Sequence, residues 1–346
     1  MIEEVALYRK YRPHKFKDVI GQEHVISVLR GSIEQSNISH AYLFAGSRGT
    51  GKTSVARIFA KEVGTTVNDL YEIDAASNRG IDDVREIRES VNTLPFESKY
   101  KVYIIDEVHM LTKEAFNALL KTLEEPPSHV IFILATTDLD KVLDTVISRC
   151  QTFTFKKPSQ EVLKDVVLSV AKKEGFSLEQ SSADLIALLG DGSFRDTLGI
   201  LQKVISSSKD KKVSIEEVEK VTGAPRSALV EDFISGIVLK DANKSFTAIR
   251  TAKDGNVDIK VFAKLVLRLV RFAMLLRFAG DMKKYIEGEV SEANFVFITK
   301  IAGDKRVVLS SGVLLELILA YDLIGRSYIP ELPLELAVIK LVGQDV

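Results

Sequence analysis

The sequence has few of the residues that cross-link a fold or hold a structural metal. Its 346 residues include one cysteine, Cys150, five histidines and no tryptophan. A disulfide framework needs paired cysteines and is therefore excluded. No CxxC motif occurs, and no two histidines stand at ligand spacing. A zinc site is accordingly not expected.

An excess of charge of one sign and long hydrophobic runs are also lacking. The 47 Lys and Arg residues face 48 Asp and Glu residues, which gives a net charge of -1. A protein whose whole surface binds DNA would carry a positive excess, so this class is disfavoured. No stretch approaches about 18 uncharged apolar residues, and the N-terminus has no apolar signal core. We expect a cytoplasmic protein with no membrane partner.

The first half of the chain shows the pattern of a parallel sheet. Short β-rich runs alternate with helical patterns between residues 40 and 155. A helix is predicted over Lys113–Leu123, after the cap residue Thr112. The predicted strands are Ala41–Ala45, Leu70–Asp74, Lys101–Asp106, Val130–Thr136 and Gln151–Phe155.

Cap and turn signals divide the helical remainder. Ser159 precedes the first amphipathic helix, and Ser214 with Glu217 three residues later forms a capping-box pattern. A turn follows at residues 222–225. We predict an α/β domain over residues 1–157, a small helical domain over 158–222 and an all-helical domain over 223–346.

Residues 46–53 read GSRGTGKT and match the phosphate-loop pattern G-x-x-x-x-G-K-[ST]. In such a loop the backbone N–H groups surround phosphates, Lys52 reaches the β- and γ-phosphates, and Thr53 can bind Mg²⁺. The alternative is a glycine-rich structural turn, which the strand before the motif and the helix after it disfavour. ATP and Mg²⁺ are the expected cofactors.

An acidic pair, Asp106-Glu107, ends an apolar strand downstream of the phosphate loop. Asp106 is predicted to hold the hydration shell of Mg²⁺, and Glu107 to activate water. Taken alone, two such carboxylates could be solvated loop residues. At the end of the next strand, Thr136 and Thr137 either orient the attacking water or serve as β-formers, and the residues leave both readings open.

Several segments along the chain can be compared with known families. They are YRKYRP (8–13), VIGQEH (19–24), the phosphate loop, EIDAAS (72–77), DEVH (106–109), FNALLKTLEEPP (116–127), ATT (135–137), SRC (148–150) and PLELA (333–337). Together they resemble AAA+ clamp-loader ATPases and, more narrowly, the gamma/tau family of bacterial DNA polymerase III. The resemblance covers essentially the whole chain and implies an α/β P-loop NTPase (AAA+) core with a parallel sheet, a helical lid and an all-α collar.

The resemblance also assigns residues that spacing alone does not. It implies that Thr137 is sensor 1, that Arg149 is an arginine finger reaching the γ-phosphate on a neighbouring subunit, and that Arg195 is sensor 2. In isolation, surface salt bridges would be the favoured reading of both arginines. The implied nucleotide contacts are Gly46, Gly49, Thr50, Gly51, Lys52, Thr53, Ser54 and Arg195, with Tyr11, Arg12, Pro13, Val19 and Ile20 on the adenine side.

The implied function is that of an ATP-hydrolysing motor subunit that loads the sliding clamp onto primer–template DNA. The implied partners are delta, delta prime and further gamma/tau copies. One alternative is another AAA+ DNA-remodelling ATPase, of the small clamp-loader or branch-migration type, which the LKTLEEPP segment disfavours. The other is a non-hydrolysing assembly subunit, which the intact phosphate loop and Glu107 disfavour.

Two departures from the family pattern change these expectations. The family usually carries a four-cysteine zinc module where residues 63–69 stand, so zinc is not expected. The sequence also lacks the long tail of the tau form, so tethering of polymerase and helicase is not expected.

Contacts to DNA are predicted on residues 77–85. Arg79 and Arg85 are candidate contacts to the DNA backbone, and the alternative is a solvated helix face with Arg/Asp pairs at i,i+3. Leu94-Pro95-Phe96 could touch the clamp, but an apolar plug under a loop is the favoured reading.

Overall fold

The computed structural model describes residues 5–208 and 210–343, and its contacts form two compact units. The first unit contains the residues up to Leu163 together with Gly190–Gly199, and the second contains Lys164–Leu189 and the residues from Ile200 onward. The ends of the predicted domains, residues 1–4 and 344–346, lie outside the described residues. The three-part division stays a prediction.

A five-stranded parallel sheet forms the centre of the first unit, as predicted. The strands are β1 (Ala41–Ala45), β2 (Leu70–Asp74), β3 (Lys101–Asp106), β4 (Val130–Thr136) and β5 (Gln151–Thr154). They lie in the order β2-β3-β4-β1-β5. Strand β5 ends one residue earlier than predicted, although Phe155 N still donates to Ala45 O at 2.7 Å.

Helices cover both faces of this sheet, which explains why its central strands are mostly apolar and buried. Successive strand residues point to opposite faces, so Tyr42 and Phe44 enter one hydrophobic core while Leu43 enters the other. The helices of this unit are α1 (Leu7–Lys10), α2 (Glu23–Glu34), α3 (Lys52–Glu62), α4 (Ile81–Val91), α5 (Lys113–Glu124) and α6 (Asp144–Ile147).

Local signals set the helix ends. The Thr112 hydroxyl accepts a hydrogen bond from Ala115 N and caps α5, as predicted. Farther along, α7 (Gln160–Lys173) and α9 (Phe194–Ser207) have residues in both units. The Ser159 hydroxyl caps α7 through Val162 N at 3.2 Å.

The second unit is almost entirely helical. The predicted capping box of Ser214 and Glu217 opens α10. Two short strands, β6 (Ser177–Leu178) and β7 (Lys212–Val213), were not predicted and pair in parallel. The helices are α8 (Gln180–Leu189), α10 (Ile215–Thr222), α11 (Ser227–Val238), α12 (Ala242–Asp254), α13 (Ile259–Phe278), α14 (Lys283–Glu289), α15 (Glu292–Gly303), α16 (Ser311–Ile324) and α17 (Leu332–Val342).

Helix α13 runs through the core of this second unit. Its cap is Asp258, whose carboxylate accepts from Lys260 N and Val261 N. Phe262 and Val266 are fully buried on the apolar face. Within the described part of the chain, no helix combines the length and apolar character needed to cross a membrane.

Candidate nucleotide site

The phosphate loop joins β1 to α3 in a conformation that requires glycine. Gly46 and Gly49 have φ angles of +153° and +74°. A Cβ atom on Gly46 would lie 2.5 Å from the Phe155 carbonyl oxygen, and one on Gly49 would lie 2.0 Å from Ser193 Oγ. Both positions therefore lack room for a side chain. Without side chains there, the backbone N–H groups of the loop can approach phosphates closely.

Lys52 is held at the start of α3 with its ammonium group inside the loop. It is 5% exposed, and its Nζ donates to Gly46 O at 2.6 Å and to Ser47 O at 3.0 Å. Burial lowers the pKa of Lys52, while the carboxylates of Glu107 and Asp106 act in the opposite direction. A buried ammonium that bonds to neutral carbonyls is suited to an incoming anion, because a phosphate would supply the compensating charge.

Thr53 and Asp106 meet where α3 faces the end of β3. The Thr53 hydroxyl donates to Asp106 Oδ2 at 2.7 Å, and Asp106 Oδ1 accepts from Glu107 N at 3.0 Å. A hydroxyl and a carboxylate are hard oxygen ligands of the kind that Mg²⁺ uses beside nucleotide phosphates. These two residues thus fit the predicted metal position.

Glu107 and Thr137 are also brought together. Glu107 has a left-handed backbone, with φ +50° and ψ 44°. Its Oε2 accepts from the Thr137 hydroxyl at 2.8 Å and from Thr137 N at 3.2 Å. His109, to which we had given no role, lies beside them, with Nδ1 3.5 Å from Glu107 Oε2 and 3.0 Å from Thr136 Oγ1. The DEVH motif is the signal that could have identified it.

The start of α9 carries Arg195 to the phosphate loop. Phe194 N donates to Gly49 O at 3.0 Å, and the Arg195 guanidinium lies 5.6 Å from the centre of the Tyr8 ring. Tyr8 was not predicted, and no sequence signal pairs two residues so far apart in the chain. This contact is a cation–π interaction, which favours a position of the Arg195 guanidinium over the Tyr8 ring.

The predicted adenine-side residues lie on the N-terminal segment. Burial, followed by the charges of Arg57 and Arg195, lowers the pKa of Arg12, so Arg12 and Arg195 share one region. Tyr11 and Pro13 are half-buried, Val19 packs against the core, and Ile20 is exposed. Among the predicted loop contacts, Thr50 is buried and its hydroxyl donates to Ser47 O, while Gly51 and Ser54 are half-buried.

Arg149 stands apart from all of these residues. It precedes β5, at the edge where the parallel strands begin, whereas the phosphate loop, Asp106 and Thr137 follow strand ends. Its guanidinium bonds instead to Glu124, Thr145 and Ser148. Burial raises the pKa of the neighbouring Cys150 thiol to about 12.

The candidate DNA-binding arginines lie near α4. Arg85 Nη1 pairs with Asp82 Oδ1 at 2.8 Å, the i,i+3 pairing noted as the alternative, and Arg79 Nε donates to Ala76 O at 2.7 Å. Both side chains belong to exposed residues, so the arrangement leaves them accessible to a phosphate backbone.

The expectation that Leu94-Pro95-Phe96 forms an apolar plug was wrong. Leu94 and Phe96 are 77% and 82% exposed. The buried carboxylate of Asp69 accepts hydrogen bonds from Phe96 N, Glu97 N and Ser98 N. Polar bonds to the backbone therefore hold this loop, and its apolar side chains point outward.

The chain is similar in sequence to subunits of bacterial DNA polymerase III. A family model described as "DNA polymerase III, delta subunit" matches residues 21–77 and 64–159. The tau subunit of DNA polymerase III from Bacillus subtilis is 47% identical over 240 residues, covering 63% of this chain and 42% of the relative. The gamma/tau subunit from Mycobacterium tuberculosis is 38% identical over 300 residues, covering 80% of this chain and 52% of the relative. The chain thus spans about half the length of the curated relatives it matches.

Solved structures share the fold. The Thermotoga maritima RuvB Holliday junction branch migration motor aligns with a TM-score of 0.53 and 22% identity, over 66% of this chain and 79% of its own. A mutant of the same protein aligns over 89% of this chain and 98% of its own, with a TM-score of 0.55 and 19% identity. At this level of identity the likeness establishes a shared fold and nothing about substrate.

Proposed function

The chain is a homologue of the gamma/tau subunits of bacterial DNA polymerase III, and from this premise we propose that it binds and hydrolyses ATP as a motor subunit of the replicative clamp loader. One observation carries the proposal. Lys52, Thr53, Asp106, Glu107 and Thr137, drawn from three separate segments, converge at the ends of β1, β3 and β4. A degraded, non-hydrolysing site would lack one or more of these groups.

In this proposal each group has a separate task. Lys52 holds the β- and γ-phosphates, and Thr53 and Asp106 would hold Mg²⁺, which when bound neutralises phosphate charge. Glu107 accepts a proton from the attacking water, and Thr137 orients that carboxylate through the two hydrogen bonds from its hydroxyl and its N–H.

Arg149 completes the site from a second subunit. Because it lies at the opposite edge of the sheet from its own phosphate loop, it is suited to a nucleotide held by a neighbour. A guanidinium supplied in this way stabilises the charge that develops on the γ-phosphoryl group. Hydrolysis then depends on assembly with other clamp-loader subunits, namely delta, delta prime and further gamma/tau copies.

The remaining assignments extend the same proposal. Residues 1–157 would form the AAA+ ATPase domain, 158–222 the lid and 223–346 the collar that holds the subunits together. Arg195 would sense the nucleotide from the lid. The assembly would place the sliding clamp on primer–template DNA in the cytoplasm, with Arg79 and Arg85 as phosphate contacts.

The test is ATP hydrolysis by the assembled complex, with and without sliding clamp and primed DNA. Glu107→Gln should still bind ATP but lose about 10²-fold or more in hydrolysis, because the general base is removed. Glu125→Gln, an exposed carboxylate in the same unit, is the matched control. Normal hydrolysis by Glu107→Gln would refute the proposal. If the rate of hydrolysis does not change when sliding clamp and primed DNA are added, another DNA-remodelling AAA+ role would instead be favoured.

A further inference from the structure

The Arg149 guanidinium is engaged within its own subunit. Nη2 lies 2.5 Å from Glu124 Oε1, and Nη1 donates to Thr145 O at 2.6 Å and to Ser148 Oγ at 3.3 Å. Glu124 is the last residue of α5, and Thr145 lies in α6. Contacts from two helices therefore hold the guanidinium within its own subunit.

We propose that Glu124 is a positioning residue that holds Arg149 back until a γ-phosphate on the adjacent subunit competes for it. This inference rests on the proposed function, since it concerns how the in-trans arginine is controlled. In a subunit without a neighbour, Glu124 neutralises the guanidinium. In the assembled ring, engagement of the phosphate requires Arg149 to exchange one anionic partner for another.

The exposure of the Arg149–Glu124 pair suits such an exchange. The two side chains are 32% and 48% exposed, so an approaching phosphate can reach the guanidinium. Half-exposed ion pairs contribute little stability, whereas a deeply buried pair would resist opening. A phosphate group offers several charged oxygens that match the fork of a guanidinium, so it is the stronger partner once within hydrogen-bond distance.

Glu124 also opposes productive engagement by its charge. If Arg149 moved to the phosphate while Glu124 stayed in place, the carboxylate would face the phosphate oxygens across a short distance. Like charges at this range repel, so Glu124 disfavours the engaged state until clamp and DNA hold the neighbouring subunits in close register. The rate of hydrolysis before clamp and DNA bind should thus be limited by Glu124.

A purely supporting role for Glu124 predicts the opposite effect. If Glu124 aligned Arg149 for catalysis, removing its charge would slow hydrolysis under all conditions. If Glu124 holds Arg149 back, removing its charge should speed the unstimulated reaction. The sign of the change in the unstimulated rate therefore distinguishes a supporting role of Glu124 from a restraining one.

The experiment measures ATP hydrolysis by the assembled clamp loader with Glu124→Gln, with and without sliding clamp and primed DNA. We expect the unstimulated rate to rise roughly two- to five-fold, the effect of losing one half-exposed ion pair. The stimulated rate should stay near that of the parent, so the stimulation ratio falls. Glu125→Gln removes the adjacent charge, which does not pair with Arg149, and should change neither rate.

Two further variants secure the interpretation. Glu124→Asp retains the charge and should restore much of the low unstimulated rate, and Glu124→Gln combined with Arg149→Ala should be no faster than Arg149→Ala alone. An unchanged or lower unstimulated rate in Glu124→Gln overturns the inference. If Arg149→Ala itself hydrolyses ATP normally, the in-trans role and the inference both fail. If Arg149→Ala is impaired but the unstimulated rate of Glu124→Gln does not rise, the inference alone fails and the in-trans role of Arg149 stands.

Discussion

At the scale of single residues, Asp69 shows how one buried carboxylate organises a loop. Burial by itself would raise its pKa, but hydrogen bonds from Glu97 N, Phe96 N and Ser98 N outweigh that effect and lower the pKa of Asp69 to about 2. The charged form is therefore favoured in the folded state. Stability from this group is present above the ordinary pKa of an aspartate and is lost as the pH falls towards about 2.

We predict that Asp69→Asn lowers the free energy of unfolding by about 2 kcal/mol near neutral pH. The difference from the parent should shrink as the pH falls from about 4 towards 2, because the parent carboxylate then becomes protonated as well. Urea unfolding of both proteins across this pH range measures the difference in their free energies of unfolding. Asp140→Asn, at an exposed site of the same unit, is the control, and a difference that does not change with pH would contradict the assignment.

The residues of the site fall into two groups: those that belong to short sequence motifs, and those whose partners lie far away in the chain. Lys52, Asp106 and Glu107 belong to short motifs whose chemistry can be inferred from the motif itself. Tyr8 meets Arg195 only because the fold brings the N-terminal segment to the start of α9. The pairing of Arg149 with Glu124 likewise follows from packing, and no local pattern reports it.

At the scale of elements, the contact between the phosphate loop and α9 is tight. Gly49 O accepts from Phe194 N, and the nearest atom to a Cβ on Gly49 would be Ser193 Oγ at 2.0 Å. The Ser193 hydroxyl is itself occupied, since it accepts from Asp196 N and caps the start of α9. A side chain at position 49 would therefore displace the segment that carries Arg195.

Gly49→Ala is expected to weaken ATP binding by roughly tenfold, through overpacking against Ser193 and strain at a positive φ. Adding Ser193→Gly should recover part of the loss, because it removes the overpacking but not the strain. Gly31→Ala is the control, since a methyl group there meets no atom within 4 Å. Titration with a fluorescent ATP analogue measures the affinities. Full affinity in Gly49→Ala would show that the close contact between Gly49 and Ser193 is not needed for ATP binding.

The elements also show where sequence patterns succeed. Strands β1, β3 and β4 are mostly apolar runs covered on both faces, so their bounds could be predicted to the residue. Strands β6 and β7 have two residues each, too few for any periodicity to show. The exposed Leu94 and Phe96 were missed because the polar bonds that turn them outward come from Asp69, some 27 residues earlier in the chain for Phe96.

At the scale of the whole molecule, the balance of 47 basic and 48 acidic residues is compatible with the proposed clamp-loader role, in which DNA would contact only one face of the subunit. Contacts to the phosphate backbone need a local set of cations, and Arg79 and Arg85 could supply it without a basic surface elsewhere. The remaining charges are then free for solvent and for subunit contacts, of which Arg149 is the proposed example.

The division of one ATPase site between two subunits can be tested by mixing variants. In the proposed site, Lys52→Ala removes a group that acts within its own subunit, and Arg149→Ala removes one that acts on a neighbour. Each variant alone should assemble into a complex with little stimulated hydrolysis. In complexes reconstituted from an equal mixture, an Arg149→Ala subunit with an intact Lys52 can lie beside a Lys52→Ala subunit with an intact Arg149.

Such an interface contains every group of the site. In an equal mixture, roughly a quarter of the interfaces between two copies of this chain should be of this kind. The mixture should therefore recover roughly a quarter of the activity that these interfaces contribute in the parent complex. ATP hydrolysis at several mixing ratios measures this, and the recovered activity should be greatest at equal proportions. The control mixes Lys52→Ala with a chain that carries Lys52→Ala and Arg149→Ala together, for which no ratio restores a complete site. If the first mixture is no more active than its components, Arg149 does not act on its neighbour, because two groups required in the same subunit cannot complement each other across an interface.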